Sequence, residues 1–238
     1  MTSADAGLPH AALRDEMCRV GRSLFERGYV HATAGNVSVR LPDGAGFLIT
    51  PTDACLGSLT PERLAHVDLS GTQVSGDRAS KTLALHRRIY DSAPEAHCVI
   101  HTHSTHLVAL TLAGVWSEAD ILPPLTPYYV MKVGHVPLIP YHRPGDPAAA
   151  QCVAEAIGAA AARGTPLRAV MLDRLGPNVW HGSPTEAMAT LEELEETARL
   201  WLMCTRLHGA ERPQPLELPA PLSEAQLQEL RQHFGARW

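Results

Sequence analysis

The sequence predicts one α/β or α+β domain in which a mixed or antiparallel sheet is covered by helices. Two observations predict it. Segments of helical and strand periodicity alternate along the chain, and the strands arrive largely as hairpins. The chain has 238 residues, 45% of them hydrophobic and 19% charged, which is typical of a globular protein with a substantial core.

The N-terminal half begins with a predicted amphipathic helix over residues 11–29. Leu13, Met17, Val20 and Leu24 recur there at spacings of three and four. Ser104 and Gly114 have the residue types of a helix start and a helix stop. The elements that follow the first helix are a strand, turn and strand over 35–50, a helix over 75–94, a strand over 97–103 and a helix over 104–114.

The C-terminal half continues the alternation. Ser183 and Glu186 are spaced as a capping box at the start of a long helix, and Ser223 and Gln226 repeat that spacing at a terminal helix. We predict two strands joined at Gly134 over 127–141, a helix over 146–164, a hairpin turning at Gly176-Pro177 over 167–182, and a helix over 183–204. A Pro-rich stretch then divides the chain into a domain, residues 1–209, and a linker with the terminal helix, residues 210–238.

Composition excludes several classes of function. The formal net charge is -5 and no basic stripe occurs, which argues against a nucleic-acid partner. The five cysteines form no CxxC pair and are typical of reduced thiols in the cytoplasm. The N-terminus lacks the features of a secretory signal, and no apolar run is long enough for a bilayer. We therefore expect a cytoplasmic protein that acts on a small molecule without a membrane.

The stretch VIHTHSTH, residues 99–106, contains three histidines directly after an apolar run. In a strand, alternate side chains share a face, so His101 and His103 would project together while Thr102 points away. Two such imidazoles suit one metal ion at about 2.0 to 2.1 Å. His106 lies beyond the strand, in the first turn of the next helix.

Several motifs occur in a fixed order: AGNVSVR, ITPTDACLG, SGDRASKTLALHRRIY, VIHTHSTH and VPLIPYHRPGD, then a strand–Gly-Pro–strand unit and an EELEE helix. Over about residues 17–204 they resemble the class II aldolase/adducin-type family of metal-dependent sugar-phosphate enzymes. TPYYVM, YHRPGD, CLG and EELEETA look like the branch that decarboxylates 3-oxo-tetronate 4-phosphates. The resemblance implies the class II aldolase-like α/β (α+β) fold, with a central, mainly antiparallel sheet sandwiched by helices. It also implies a homotetramer with active sites at subunit interfaces.

The resemblance also implies where the chemistry lies. His101 and His103 match two ligands of a divalent metal, expected to be zinc, with Fe(II) or Mn as alternatives. Tyr129 matches an interface tyrosine, which would protonate the enolate product. Positions that match phosphate binding are Asn36, Thr50, Thr52 and Ser80, with Asp53 in the same loop and Thr82 at the catalytic acid/base position.

Three positions depart from the family pattern. Leu175 stands where a third metal histidine is expected, and leucine cannot bind a metal. Thr82 replaces a glutamate and cannot act as a carboxylate acid/base near neutral pH. Asp53 replaces a glycine, whose conformational freedom it lacks, and its charge would repel phosphate. Asp53 therefore favours a substrate that lacks phosphate or carries a cation.

The third ligand has several candidates. Asp173 lies two residues before Leu175 in one strand, and Asp53 could approach from its loop. Either would complete a two-histidine, one-carboxylate site suited to Fe(II) and oxygen chemistry. His181, on the return strand of the hairpin, would instead give a three-histidine zinc site.

The function we infer from the sequence is a metal-dependent carbon–carbon lyase that acts on a small keto acid or sugar-acid-like substrate. Decarboxylation is favoured over aldol cleavage, because loss of CO2 from a β-keto acid needs no base, whereas aldol cleavage requires removal of a hydroxyl proton. The alternatives are a non-haem iron oxygenase on the same fold and a catalytically inactive scaffold, since the family includes the non-enzymatic adducin.

Overall fold

The structure is a computed structural model that describes residues 8–42, 44–208 and 220–238. Its helices are α1 (Ala11–Glu26), α2 (Leu83–Ser92), α3 (Thr105–Ala113), α4 (Pro147–Ala162), α5 (Pro184–His208) and α6 (Glu224–Phe234). Its strands are β1 (Asn36–Arg40), β2 (Phe47–Ile49), β3 (Ala65–Val67), β4 (Gln73–Ser75), β5 (Cys98–His101), β6 (Leu138–Ile139), β7 (Ala169–Leu172) and β8 (Gly176–His181).

Within the described residues, the eight strands form one sheet in the order β4-β3-β2-β1-β5-β8-β7-β6. Neighbouring strands are antiparallel except β6 and β7, which are parallel. The prediction of a mainly antiparallel sheet is therefore confirmed. Strands β3 and β4 were not predicted, because each has three residues and β4 is exposed throughout, without an apolar alternation.

Helices cover both faces of the sheet. Alternate residues of β1 face the helices on one side and the other. Val37 and Val39 are buried in the core formed with α1, α3 and α5. Ser38 faces the opposite side, where its hydroxyl contacts His86 of α2. Residues of α2 and α4 form the core on that side, together with Val99 of β5. The predicted sandwich of helices around a sheet is confirmed.

The segment over 127–141 differs from the prediction of two strands. Tyr129–Val133 forms a π-helical turn, and only Leu138–Ile139 is a strand. The N–H of Tyr129 donates to the Thr126 hydroxyl at 3.1 Å, which satisfies one free donor at the start of the turn. Tyr129 and Val133 are both buried. A spacing of four places both side chains on one face of a helical turn, and it is equally compatible with strand alternation.

Further boundaries also differ from the sequence prediction. Strand β5 ends at His101 instead of residue 103, so His103 lies in the loop before α3. Helix α2 begins at Leu83 instead of residue 75, because the preceding segment pairs with the loop after β2 through a bridge between Pro51 and Ala79. The hairpin turns at residues 173–175, since Leu172 already pairs with Gly176. Gly176-Pro177 therefore opens β8 and does not form the turn.

The terminal helix α6 has the predicted capping box. The N–H of Gln226 donates to the Ser223 hydroxyl at 3.4 Å, and the N–H of Ser223 donates to the Gln226 side chain at 2.8 Å. Its apolar residues Leu227 and Leu230 pack against Val130. Residues 209–219 of the predicted linker lie outside the described residues, so the domain boundary at 209/210 stays a prediction. Among the described helices, none combines the length and apolar character needed to cross a bilayer.

Candidate active site

Three adjacent strands bring Asn36, His101 and Asn178 into one row. His101 at the end of β5 pairs with Asn36 of β1 on one side and with Asn178 of β8 on the other. Directly paired residues of antiparallel strands project to the same face of a sheet. All three side chains therefore lie on the face covered by α2 and α4, and all three line one cavity.

The histidine pair has the geometry expected of two ligands on one ion. The ring centroids of His101 and His103 are 5.1 Å apart, close to the separation of about 5 Å that two imidazoles on one tetrahedral zinc adopt. Nδ1 of His101 lies 2.9 Å from the carbonyl oxygen of Pro177. A carbonyl only accepts, so Nδ1 carries the proton and Nε2 keeps its lone pair.

The protonation state also suits metal binding. Burial lowers the pKa of His101 to about 4, and the neighbouring His103 adds to this effect. Burial likewise lowers the pKa of His103, with His31 contributing. Both imidazoles are therefore neutral near pH 7, the form in which histidine binds a metal.

Two glycines allow neighbouring backbone segments to pack directly against the end of β5. A Cβ on Gly176, which has φ +136, would lie 1.9 Å from the carbonyl oxygen of Thr102. A Cβ on Gly35, with φ +82, would lie 2.6 Å from Val30 and 3.0 Å from the carbonyl oxygen of His101. The Gly of AGN and the Gly of GPN thus permit the close approach of β1 and β8 to His101.

Backbone hydrogen bonds bring the two loops with predicted phosphate-binding residues together. The N–H of Thr52 donates to the carbonyl of Arg78 at 2.9 Å, and the N–H of Ser80 donates to the carbonyl of Thr50 at 3.3 Å. The hydroxyls of Ser80 and Thr82 lie 2.8 Å apart. The loops therefore form one wall of small polar side chains beside the histidine pair.

Asp53 adopts φ +55, the left-handed conformation for which glycine is the usual residue. Aspartate is among the residues that tolerate this region best, so the loop keeps its shape without the glycine. Asp53 thus adopts the backbone conformation typical of a glycine, and its effect on phosphate binding stays a prediction. Asp53 and Lys81, residues of opposite charge, both line the cavity.

The cavity has a volume of about 330 Å³, within the range of small-molecule sites. The predicted site residues that line it are Asn36, Thr52, Asp53, Ser80, Thr82, His101, His103 and Asp173. Leu175 also contributes to the wall. The structure does not bring Thr50, Tyr129 or His181 to this cavity.

The positions of Thr50 and His181 have clear structural causes. Thr50 is fully buried, and its hydroxyl accepts a hydrogen bond from the N–H of Val37 at 3.2 Å. His181 pairs with Cys98, which lies at the opposite end of β5 from His101. Its Nδ1 lies 3.0 Å from the Glu186 carboxylate at the start of α5. His181 therefore does not replace the third histidine.

Tyr129 is fully buried at the π-helical turn, and its ring lies 5.7 Å from that of Trp238. Its hydroxyl has no hydrogen-bond partner among the described residues. Burial raises the pKa of this hydroxyl well above 10, with Asp120 contributing. In this arrangement Tyr129 does not line the cavity.

A third metal ligand is not in place. No group of three or more His, Cys, Asp and Glu side chains within residues 8–42, 44–208 and 220–238 is arranged to hold a metal ion. Asp173 lines the cavity but lies 3.7 Å from the guanidinium of Arg174. His31, which sequence reasoning missed, has its ring centroid 6.4 Å from that of His103. His106 instead contacts Glu195 at 2.8 Å.

A buried hydrogen-bonded group lies behind the histidine pair. The Ser38 hydroxyl contacts Nδ1 of His86 at 2.7 Å and the hydroxyl of Tyr90 at 2.8 Å. Burial lowers the pKa of His86 to about 3, and the nearby His101 adds to this effect. The cluster links β1 to α2, and Leu85 of α2 lines the cavity.

Sequence reasoning also missed Asn178 and Lys81. Asn178 was treated only as part of a hairpin, although asparagine is depleted in strands and the sequence contains only two asparagines. Both of them, Asn36 and Asn178, lie in strands and line the cavity. An asparagine within an otherwise apolar strand is a signal that could have identified this position.

Comparison with known proteins gives consistent matches. Residues 15–202 match the model of the Class II Aldolase and Adducin N-terminal domain. The chain is 58% identical to 3-oxo-tetronate 4-phosphate decarboxylase of Cupriavidus necator, over 95% of this chain and 97% of that protein. It is 43% identical to the enzyme of the same name from Escherichia coli K12, over 79% of this chain and 85% of that protein.

Solved structures show the same fold. The crystal structure of YgbL from Escherichia coli superposes with a TM-score of 0.80 at 40% identity, covering 93% of this chain and 98% of that one. The structure of L-fuculose-1-phosphate aldolase from Thermus thermophilus gives a TM-score of 0.72 at 30% identity, covering 86% of this chain and 100% of that one. The class II aldolase-like fold expected from the motifs is confirmed.

Proposed function

Because this chain belongs to the class II aldolase and adducin family, in which it is a lyase, we propose that it is a metal-dependent decarboxylase of a 3-oxo-tetronate 4-phosphate or a close analogue. The observation that carries the proposal is the placement of His101 and His103 in the same cavity as the Thr52 and Ser80 loops. One end of that cavity suits a metal, and the adjoining wall suits a phosphate. The decarboxylase relative from Cupriavidus necator matches this chain over nearly its full length.

Two residues of the cavity have side chains that can bind one divalent metal. We propose that Nε2 of His101 and the ring of His103 hold it, while Asp173 or His31 approaches when it binds. Imidazole nitrogens bind several divalent metals with different affinities. We expect zinc, with Fe(II) or Mn as the alternatives. When bound, a divalent metal supplies Lewis-acid stabilisation of the negative charge that develops on a keto oxygen.

Loss of the usual glutamate is compatible with decarboxylation. The carbon–carbon bond breaks as the carboxylate leaves, so no base has to remove a proton from a hydroxyl group. Thr82 therefore does not need to act as an acid/base. We propose that Thr82 instead holds the Ser80 hydroxyl, 2.8 Å away, and that both residues contribute to substrate binding.

The phosphate is assigned to the wall formed by Thr52, Ser80 and Lys81. The hydroxyls donate hydrogen bonds, and the ammonium group of Lys81 offsets the charge of Asp53 in the same cavity. A partial offset of this kind would make a phosphorylated substrate compatible with a carboxylate at position 53. A phosphate on this wall leaves the keto acid end of the substrate beside His101.

We further propose that the chain is a cytoplasmic homotetramer, as the family resemblance implies. Large apolar side chains are exposed on one protomer, including Leu112 of α3 and Leu200 and Met203 of α5. These two helices pack against each other, so the exposed side chains lie on neighbouring elements. Light scattering of the purified protein would give the mass of the assembly directly.

The reaction is tested by product analysis. Purified, metal-loaded protein is incubated with 3-oxo-tetronate 4-phosphate, and the products are followed by carbon NMR. Removal of CO2 and addition of one proton leave dihydroxyacetone phosphate, so the proposal predicts this compound and CO2 in equal amounts. Cleavage of L-fuculose 1-phosphate, a β-hydroxy ketone, in place of CO2 release from this keto acid would instead support an aldolase. Oxygen uptake with iron would support an oxygenase, and no product with any divalent metal would support a scaffold.

A further inference from the structure

We propose that Asn178 recognises a hydroxyl group next to the keto group of the substrate, and that it thereby sets substrate specificity. This inference rests on the proposed decarboxylase function and concerns the same cavity. Asn178 lies in the cavity floor as the cross-strand neighbour of His101. A ligand whose keto oxygen reaches His101 therefore lies beside the Asn178 carboxamide.

The first argument is that the carboxamide of Asn178 is buried without a hydrogen-bond partner in the described part of the chain. Asn178 is fully buried, and neither its Oδ1 nor its Nδ2 has a hydrogen-bond partner among the described residues. A buried donor or acceptor that is left unpaired loses its hydrogen bonds to water and gains none in return. Buried polar groups are nearly always paired, so two free atoms on one side chain require an explanation. A polar ligand in the adjoining cavity supplies it.

The second argument is position. Asparagine is unfavourable within a strand, and β8 is otherwise buried and largely apolar, as in Val179 and Trp180. A local residue choice that conflicts with its element is expected at functional positions. The Asn178 side chain makes no hydrogen bond to a backbone N–H or carbonyl among the described residues. It therefore does not hold the strand in place by such a bond.

The third argument is chemical complementarity. A carboxamide presents a donor, Nδ2–H, and an acceptor, Oδ1, side by side. A carboxylate or a phosphate only accepts, so either would leave Oδ1 unpaired. A hydroxyl next to a ketone provides one donor, the O–H, for Oδ1 and one acceptor, the keto oxygen, for Nδ2–H. Nδ2–H would donate to the keto oxygen, where charge develops as CO2 leaves, and the hydroxyl would donate to Oδ1.

Two probes that differ by this hydroxyl alone test the inference. Dihydroxyacetone phosphate carries it and hydroxyacetone phosphate lacks it, and neither has a carboxylate to lose. Their dissociation constants are measured by calorimetry on metal-loaded wild type, Asn178→Leu and Asn178→Ser. Leu85→Ala, which removes an apolar side chain from the same cavity wall, is the control. Metal content and thermal unfolding of each variant are recorded alongside.

We expect wild type and Leu85→Ala to prefer the hydroxylated probe, and the preference ratio to fall about 5- to 10-fold in Asn178→Leu, with metal content unchanged. Asn178→Ser keeps a small polar group and should fall in between. An unchanged ratio in Asn178→Leu, or in Asn178→Ser if the leucine variant does not fold, would overturn the inference, as would a wild type without preference.

The same measurements separate this inference from the proposed function. If wild type releases no CO2 from 3-oxo-tetronate 4-phosphate but the probe preference depends on Asn178, the decarboxylase proposal fails and the recognition by Asn178 stands. If CO2 is released and the preference is independent of residue 178, the decarboxylase proposal stands and the role of Asn178 is wrong.

Discussion

The carbonyl oxygen of Pro177 accepts a hydrogen bond from Nδ1–H of His101 at 2.9 Å. It also accepts one from the N–H of Thr102 at 3.3 Å. One backbone group of β8 therefore fixes both the end of β5 and the tautomer of the histidine on it. Nε2 of His101 therefore keeps its lone pair. A carbonyl that accepts from Nδ1–H in this way fixes the tautomer in which Nε2 can bind a metal.

This contact depends on the close approach of β5 and β8 at Gly176. We expect Gly176→Ala to lower the free energy of unfolding by about 2 to 4 kcal/mol, because its Cβ would overlap the Thr102 carbonyl oxygen and φ +136 is strained for alanine. Gly158→Ala on α4 is the control. It has open space around it and should gain up to about 1 kcal/mol from helix propensity. Urea denaturation measures both, and equal effects would contradict the packing argument.

The buried histidines predict a pH dependence of stability in the metal-free protein. In the folded state the pKa of His86 is about 3 and that of His101 about 4, whereas both are near 6.5 when unfolded. Stability is therefore present above pH 6.5 and falls as the unfolded state takes up protons at lower pH. From pH 7 to pH 5 we expect a loss of about 1 to 2 kcal/mol for each histidine.

His86→Gln should remove one of these two contributions, so its unfolding free energy should decline less steeply with pH than that of the wild type. His97→Gln is the matched control, because His97 is exposed. Urea unfolding at several pH values between pH 7 and pH 5 measures the difference in slope. Identical slopes for the wild type and His86→Gln would show that His86 is not held neutral by burial.

The charge at Asp53 predicts weakened phosphate binding. Removing a carboxylate a few ångströms from a phosphate should lower the KM for a phosphorylated substrate about 3- to 10-fold. Asp53→Asn removes the charge and still tolerates φ +55, and Asp53→Gly restores the residue expected at such a conformation. Steady-state kinetics should show a lower KM in both variants. A higher KM in both would mean that Asp53 binds the substrate.

The missing third ligand predicts that metal is held less tightly than a three-histidine site would hold it. Leu175 lines the cavity with His101 and His103, so Leu175→His should add an imidazole within reach. We expect at least about tenfold more chelator to be needed for half-removal of zinc. Leu175→Phe, which adds a ring without a ligand, is the control. Equal zinc retention in Leu175→His and wild type would show that position 175 does not face the metal.

Features set by local chemistry were predictable from the sequence. The closeness of His101 and His103, the terminal capping box at Ser223 and the glycine-bounded strands depend on neighbours within a few residues, and the fold class followed from them. Strand alternation does not cause the closeness of the two histidines, because β5 ends at His101. The segment around Tyr129 was wrongly predicted as a strand, because a spacing of four in a helical turn and strand alternation are hard to distinguish over five residues.

Features set by register between distant segments were not predictable. His181 is close to Leu175 in the sequence, but the pairing of β5 with β8 carries it to the far end from His101. The same pairing brings Asn178 to His101, and the fold brings His31 to His103, although neither belongs to a metal motif. Lys81 became a candidate only because it lines the same cavity as His101 and His103.

The central claim is that a metal held by His101 and His103 drives decarboxylation, and CO2 release from 3-oxo-tetronate 4-phosphate tests it most directly. The wild type should release CO2 with added zinc, manganese or Fe(II), lose at least about 100-fold of the rate with chelator, and recover when metal is restored. His101→Ala should stay inactive with metal present, while the exposed control His97→Gln keeps the wild-type rate. Undiminished CO2 release from chelated wild type or from His101→Ala would contradict the account.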